Sequence, residues 1–150
     1  MGANYKLADT SDADALLVLM REFYAHEHLA FDEALARAAL LEILGDGAFG
    51  RVWLIHHEGE VAGYVIVTFG FSLEFGGRYA LVDELYISEA HRDRGVGTQT
   101  LGFVAEACRA FGVSALRLEV ERSNVGAHTV YRKFGFTEHD RYLMTKWISE

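Results

Sequence analysis

The chain has 150 residues, a formal charge of -8, one cysteine and no proline. A chain of this length buries about 70% of its unfolded surface, so one self-supporting domain is expected, and a lone cysteine excludes an internal disulfide. The acidic balance argues against general nucleic-acid binding, no apolar run approaches the roughly 20 residues that span a bilayer, and no N-terminal stretch reads as a cleavable leader. A cytosolic protein with cationic small-molecule partners is the expectation, without nucleic acid or membrane.

Asn4 to Ala8 reads as a short strand. Thr10 or Ser11 then caps a helix whose Leu16, Leu19, Met20 and Phe23 recur at helical spacing. Its end, Glu22-Phe23-Tyr24-Ala25-His26-Glu27-His28, mixes aromatics, carboxylates and imidazoles. Asp32 caps a second helix over 33–44 that stops at Gly45. Val52 to His56 is a predicted strand, Glu58-Gly59-Glu60 a turn, and Val61 to Phe71 a long strand with apolar residues on both faces, which implies a sheet covered on two sides. Gly76-Gly77 turns the chain into a fourth strand over 79–88, completing an antiparallel meander.

After that strand comes His91-Arg92-Asp93-Arg94-Gly95-Val96-Gly97-Thr98, then a helix over 98–111 with Leu101, Val104, Cys108 and Phe111 on one face and Gly112 as its stop. Ala115 to Val120 is a strand parallel to the fourth, reached by a right-handed crossover. Asn124 caps a short helix with Ala127, Val130, Tyr131 and Phe134 on one face, ended by Gly135, and Phe136 with Tyr142 to Trp147 supplies the last predicted strands. The fold class is mixed α/β: a central, mostly antiparallel sheet of six to seven strands flanked by about four helices. Cys108 falls in an apolar helical stripe and reads as core.

A strand running into glycines at a helix start aims free backbone N–H groups at one point, and the helix dipole makes that point attractive to an anion. Gly95 and Gly97 let a ligand approach the backbone, while Arg92 and Arg94 add forked charged donors. The order Arg92-x-x-Gly95-x-Gly97 resembles the acetyl-CoA pyrophosphate loop of the GNAT superfamily of N-acetyltransferases. Its context strengthens the match: Ala115 to Val120, Asn124, Tyr131 and Phe134-Gly135-Phe136 follow at the superfamily's spacing. The resemblance covers 80–147; the earlier part matches only in the order of its elements. Where members usually carry a proline before the loop, this chain has Ser88-Glu89-Ala90-His91.

The resemblance implies acetyl-CoA as cofactor. It implies cofactor contacts from Leu85, Tyr86 and Ile87 as a backbone pseudo-strand, from Arg92, Asp93, Arg94, Gly95, Val96, Gly97 and Thr98 in the loop, and from Asn124, Ala127 and Tyr131. It also implies that Tyr131 protonates the departing thiolate. A thioester is already activated, so no enzyme nucleophile is required, but an alkylamine is neutral in only about 0.04% of molecules at pH 7, which gives a base work to do. Asp83 and Glu84 are the candidates. As neighbours in a strand they should face opposite sides of the sheet, and periodicity does not choose between them. The run Val82-Asp83-Glu84-Leu85-Tyr86-Ile87 resembles the corresponding strand of spermidine/spermine N-acetyltransferases, which would put the base at Asp83.

Glu22, Tyr24, Glu27, Phe71 and Glu74 are candidates for a cationic acceptor pocket, and the expected reaction is acetyl transfer to a small-molecule amine, polyamine-like or otherwise cationic. Protein N-acetylation and non-catalytic acyl-CoA sensing are the alternatives. A dinucleotide site is opposed by Thr100 in place of a third glycine, by the seven residues between the strand end and Gly95, and by a single crossover. The seven histidines do not make a metal site: His26-x-His28 and His56-His57 are too closely spaced for an ordinary helical ligand pair. His128 faces away from the Tyr131 stripe and reads as a surface residue. Edge strands after Phe136 would allow a homodimer.

Overall fold

The computed structural model describes residues 2–149, which divide into two compact units, one ending at Glu119 and one beginning at Val120. The first unit contains β1 (Asn4–Leu7), α1 (Ala13–His26), α2 (Glu33–Gly45), β2 (Gly50–His57), β3 (Glu60–Ser72), β4 (Gly77–Ile87), α3 (Val96–Ala110) and β5 (Ala115–Leu118). The second contains α4 (Val125–Lys133).

The first unit is a five-stranded sheet in the order β1-β2-β3-β4-β5, antiparallel as far as β4 and parallel between β4 and β5. The expected meander and crossover are both present. Alternation along β2 and β3 sorts the core into two layers. Val52, Leu54, Tyr64 and Ile66 meet Leu16, Leu17, Met20 and Leu40 of α1 and α2, whereas Trp53, Ile55, Val65 and Val67 meet Val96, Val104 and Cys108 of α3. Each fully buried aliphatic side chain in these layers contributes about 1.5–3 kcal/mol. Burial also pushes the Cys108 thiol up, in keeping with a packing role.

Capping largely follows local chemistry. Asp32 accepts the Leu35 N–H at the start of α2, and Asn124 accepts the Ala127 N–H at the start of α4. The turn before α1 is capped one residue earlier than expected, by Asp9 in a reciprocal box with Asp12. Gly112 and Gly135 take φ of 76° and 97°, the left-handed geometry that ends a helix.

Among the described residues the sheet has five strands, not six or seven. Residues 136–149 form no strand, and β5 ends at Leu118. The apolar pattern at 142–147 is real, but pattern alone does not make a strand, which exists only through ladder hydrogen bonds to a neighbour. Tyr142, Leu143, Met144 and Trp147 are instead exposed.

Candidate active site

β4 is longer than the strand it pairs with. β5 matches it only from Tyr79 to Val82, so among the described residues the stretch Asp83–Ile87 runs beside β3 with no strand on its other side. An unpartnered β edge offers backbone donors and acceptors in a row.

A β-bulge sits at the start of this open stretch. Ile66 pairs with Glu84 and Val67 with Val82, leaving Asp83 unpaired. The extra residue shifts the alternation: Val82 and Leu85, three apart, both pack into the α3 layer, while Tyr86 packs toward α1. Glu84 pairs with Ile66 and shares the α1 face with Tyr64 and Tyr86, while Asp83 is the extra residue with no partner across the ladder.

Glu84 is held by two phenols. Tyr24 donates to its Oε2 at 2.6 Å and Tyr64 to its Oε1 at 2.7 Å. Burial nevertheless outweighs these bonds and keeps the Glu84 carboxyl above the ordinary carboxylate range, with the Asp83 charge pushing the same way. Desolvation, then the Glu119 carboxylate, raises Asp83 as well. Both phenols are pushed well above the usual tyrosine range by burial and by Glu84, so they remain proton donors. Next along, Tyr86 donates to Glu22 Oε1 at 3.1 Å.

Beyond β4 the chain makes one 3-10 turn, Glu89–His91, and enters the loop. Asp93 and Gly95 take positive φ, 62° and 79°, and reverse the chain into α3, a helix of 15 residues with no side-chain cap. Gly97 is already helical; its contribution is open space where a Cβ would be. The first hydrogen bond back into the helix runs from Gln99 N–H to Gly95 O, so the amides of Val96, Gly97 and Thr98 have no partner within the helix.

Two clefts meet along this path. One, of about 330 Å³, is lined by Ile87, His91, Arg92, Asp93, Gly95, Val96, Gly97 and Thr98. The other, of about 250 Å³, is lined by Phe23, His26, Glu27, Leu85, Tyr86, Ile87 and Arg92. Ile87 and Arg92 belong to both. Arg92 Nε donates to Ile87 O at 2.8 Å, and its guanidinium lies 5.6 Å from the centre of the Tyr86 ring.

The structure thus brings together Leu85, Tyr86, Ile87, Glu27 and the loop from Arg92 to Thr98, with Glu22, Tyr24 and Glu84 joined through hydrogen bonds behind them. Arg94 is turned to Glu58, 2.7 Å away, and lines neither cleft. Phe71 and Glu74 lie at the other end of the hairpin. Phe71 pairs with Arg78, seven residues before Leu85 and so about 23 Å away along the strand. Asn124, Ala127 and Tyr131 lie on or beside α4 in the second unit, where the Tyr131 ring meets Phe136 edge-on at 5.9 Å and burial raises its phenol. Also in that unit, His128 bonds Glu138 and the Glu121 carbonyl.

Sequence reasoning missed Tyr64, Phe23 as a wall of the cleft, and the His57–His91 contact. Tyr64 carries no local signal, since it sits in an apolar run. Phe23 shares its helical spacing with core residues. His57 and His91 lie 34 residues apart and meet only through the sheet. Among the described residues no group of three or more side chains is placed to hold a metal, and no helix is long and apolar enough to cross a membrane.

This chain is similar in sequence and in fold to known proteins. The Acetyltransferase (GNAT) family model matches residues 14–136. Thialysine N-epsilon-acetyltransferase of Mus musculus is 26% identical over 95% of this chain and 91% of its own length, and that of Bos taurus is 29% identical over 85% and 80%. Among solved structures, an integron cassette protein from the Cole Harbour Salt Marsh metagenome superposes with a TM-score of 0.85 at 33% identity, covering 97% of this chain and 91% of that one. A predicted acetyltransferase with acetyl-CoA from Clostridium acetobutylicum has a TM-score of 0.80 at 16% identity, covering 96% of each chain, a likeness of fold alone. The family match spans both the open β4 edge and the loop that follows it, and the chain belongs to the GNAT acetyltransferase family and is an acyltransferase.

Proposed function

We propose that this enzyme transfers the acetyl group of acetyl-CoA to a primary amine on a small cationic molecule, by direct attack within a complex that holds both. The observation that carries the reading is the continuous path from the unpaired edge at 83–87 into the uncapped start of α3. The amide groups of a pantetheine arm suit the edge, and phosphates suit the free amides of Val96, Gly97 and Thr98 with Arg92 beside them. Acetyl-CoA supplies an activated acyl group and a thiolate leaving group.

The chain's own residues supply the rest. Glu84, poised above the usual carboxylate range, or Asp83 beside it, accepts a proton from the incoming ammonium, directly or through water. Tyr131, which occupies the position of the family's acid in the sequence motif, keeps its proton at neutral pH and returns it to sulfur. Phe23, His26, Glu27 and Tyr86 form a rim with aromatic faces and a carboxylate, which favours a cationic acceptor. The relatives named for the ε-amine of thialysine, a primary amine on a flexible arm, support the same class.

Calorimetric titration with acetyl-CoA, followed by thiol release with a panel of diamines, amino acids and aminoglycosides, tests the reading. Micromolar binding with release for cationic primary amines is expected; absence of binding would remove the cofactor assignment. Replacing both loop arginines, Arg92→Ala with Arg94→Ala, should weaken acetyl-CoA by about 2 kcal/mol. Most of that loss should follow Arg92, because Arg94 must first leave Glu58 to reach a phosphate. Tyr131→Phe should lower turnover about a hundredfold with acetyl-CoA affinity nearly unchanged. Equal turnover in that variant would take Tyr131 out of the chemistry.

A further inference from the structure

His57 ends β2 and His91 precedes the anion loop, and the two imidazoles meet inside the protein. Their Nδ1 atoms are 2.9 Å apart, and the residues are 3% and 4% exposed. Each ring's other nitrogen faces a carboxylate. His57 Nε2 is 3.9 Å from Glu58 Oε1, and His91 Nε2 is 3.4 Å from Glu60 Oε1. Arg94 of the loop also holds Glu58 Oε1, at 2.7 Å. The charged groups facing the pair are therefore Glu58 from the turn after β2, Glu60 at the start of β3 and, through Glu58, Arg94 from the loop.

Proton counting limits what this pair can be. A contact between two Nδ1 atoms requires one proton between them, so one ring donates and the other accepts. If the rings hold two protons in all, the donating ring turns a bare Nε2 lone pair toward its carboxylate. With three protons, the Nδ1 contact survives and both Nε2–H groups point at carboxylates. That state also balances the cluster, one shared positive charge and Arg94 against Glu58 and Glu60. A fourth proton sets N–H against N–H and two cations in contact, and the pair must part.

The loop is fastened to the rest of the sheet at the same place. His91 is bonded to Arg92, whose side chain lines both clefts, and Arg94 is anchored on Glu58. We propose that His57 and His91 form a one-proton bridge that positions the anion loop, so that uptake of the fourth proton releases the loop and weakens acetyl-CoA binding in acid. His57 and His91 are positioning residues: they act through Arg92 and the backbone of the loop. The inference rests on the reading of this loop as the acetyl-CoA phosphate site.

The test compares the wild type with His57→Asn, whose amide places a hydrogen-bonding group near the Nδ1 position but does not titrate, and with His57→Leu, which offers none. Acetyl-CoA affinity is measured by calorimetry from about pH 7.5 to about pH 5, the interval in which an imidazole changes charge. The phosphates of acetyl-CoA titrate identically for all three proteins, so differences between them isolate the histidine pair. The wild type should lose about tenfold more affinity across this range than His57→Asn, which should match it at the neutral end. His57→Leu should be weak throughout.

Amide resonances of Gly95 and Gly97 are followed over the same range without ligand. They should move together with the His57 and His91 ring resonances in the wild type and stay fixed in His57→Asn. Fixed glycine resonances while the rings titrate would overturn the inference. So would parallel affinity losses in the wild type and His57→Asn. If the wild type binds no acetyl-CoA at any pH, the cofactor reading fails, and the resonances still decide whether the pair governs the loop.

Discussion

Glu84→Gln is expected to lower turnover by about 10²- to 10⁴-fold, the usual loss when a general base is removed, while the protein remains folded. The fold survives because glutamine keeps the shape and most of the bonding. Its carbonyl can accept from one of the two phenols now held at 2.6 and 2.7 Å, and its amide can donate to the oxygen of the other. What it loses is the ability to take a proton from an ammonium. A pH profile separates this role from a structural one. In the wild type, activity should fall as acid protonates a carboxyl that burial already holds above the ordinary range, and that limb should vanish with the residual activity of the glutamine variant.

The stability effect has a definite sign. Because the folded-state value of Glu84 lies above its unfolded one, the native protein binds more protons than the unfolded chain between the two values. This carboxyl's contribution to stability therefore falls as pH rises through that window. Relative to the wild type, Glu84→Gln should be at least as stable at neutral pH, and its advantage should shrink on acidification toward the ordinary carboxylate range. Melting curves at several pH values check this. Unchanged turnover in Glu84→Gln would transfer the role to Asp83, and unchanged turnover in Asp83→Asn as well would mean that no protein base is used.

The choice between these carboxylates shows where sequence reasoning stops. Hydrophobic period located β2, β3 and β4, because Val52 to Ile55 and Tyr64 to Val67 each feed two core layers in strict alternation. It could not reveal the bulge at Asp83, since a strand with one inserted residue looks like an uninterrupted strand until its partner's register is known. The loop was legible for the opposite reason. Its chemistry is local: a left-handed Gly95, a helix start and arginines within a few positions. Phe71 and Glu74 had the right residue types for an acceptor pocket, but only the hairpin register places them at the other end of β4. The strands expected after Phe136 had an apolar pattern and lacked a pairing partner, which is a property of the whole sheet. The His57–His91 bridge was the least accessible, for it joins two residues whose neighbours in sequence do not indicate it.

The backbone beneath the site makes a second large prediction. Gly63 of β3 pairs with Ile87 at the open end of β4, and a Cβ there would lie 1.9 Å from Tyr86 O, 2.9 Å from its carbonyl carbon and 3.1 Å from Ile87 Cα. No rotamer relieves a clash with main chain. Tyr86 cannot retreat easily, since its ring packs toward α1 and its hydroxyl is bonded to Glu22. Gly63→Ala should therefore cost about 3 kcal/mol, as severe overpacking does, and lower the midpoint of thermal unfolding by about 10 °C. The same displacement would shift Tyr86 and Ile87, so acetyl-CoA affinity should fall even at temperatures where the variant is fully folded.

Gly50→Ala is the matched control. Its Cβ would meet Val67 O at 2.0 Å, a comparable clash in the same sheet, but Gly50 pairs with Thr68, well along β3 from Gly63 and the open edge of β4. Both variants should melt early, and only Gly63→Ala should bind acetyl-CoA weakly when folded. If the two lose affinity alike, the loss reports on stability and the strand edge has no special part in binding. If Gly63→Ala keeps wild-type affinity while melting early, the residues at 86–87 do not form the cofactor's edge, and the anion loop alone would have to carry recognition.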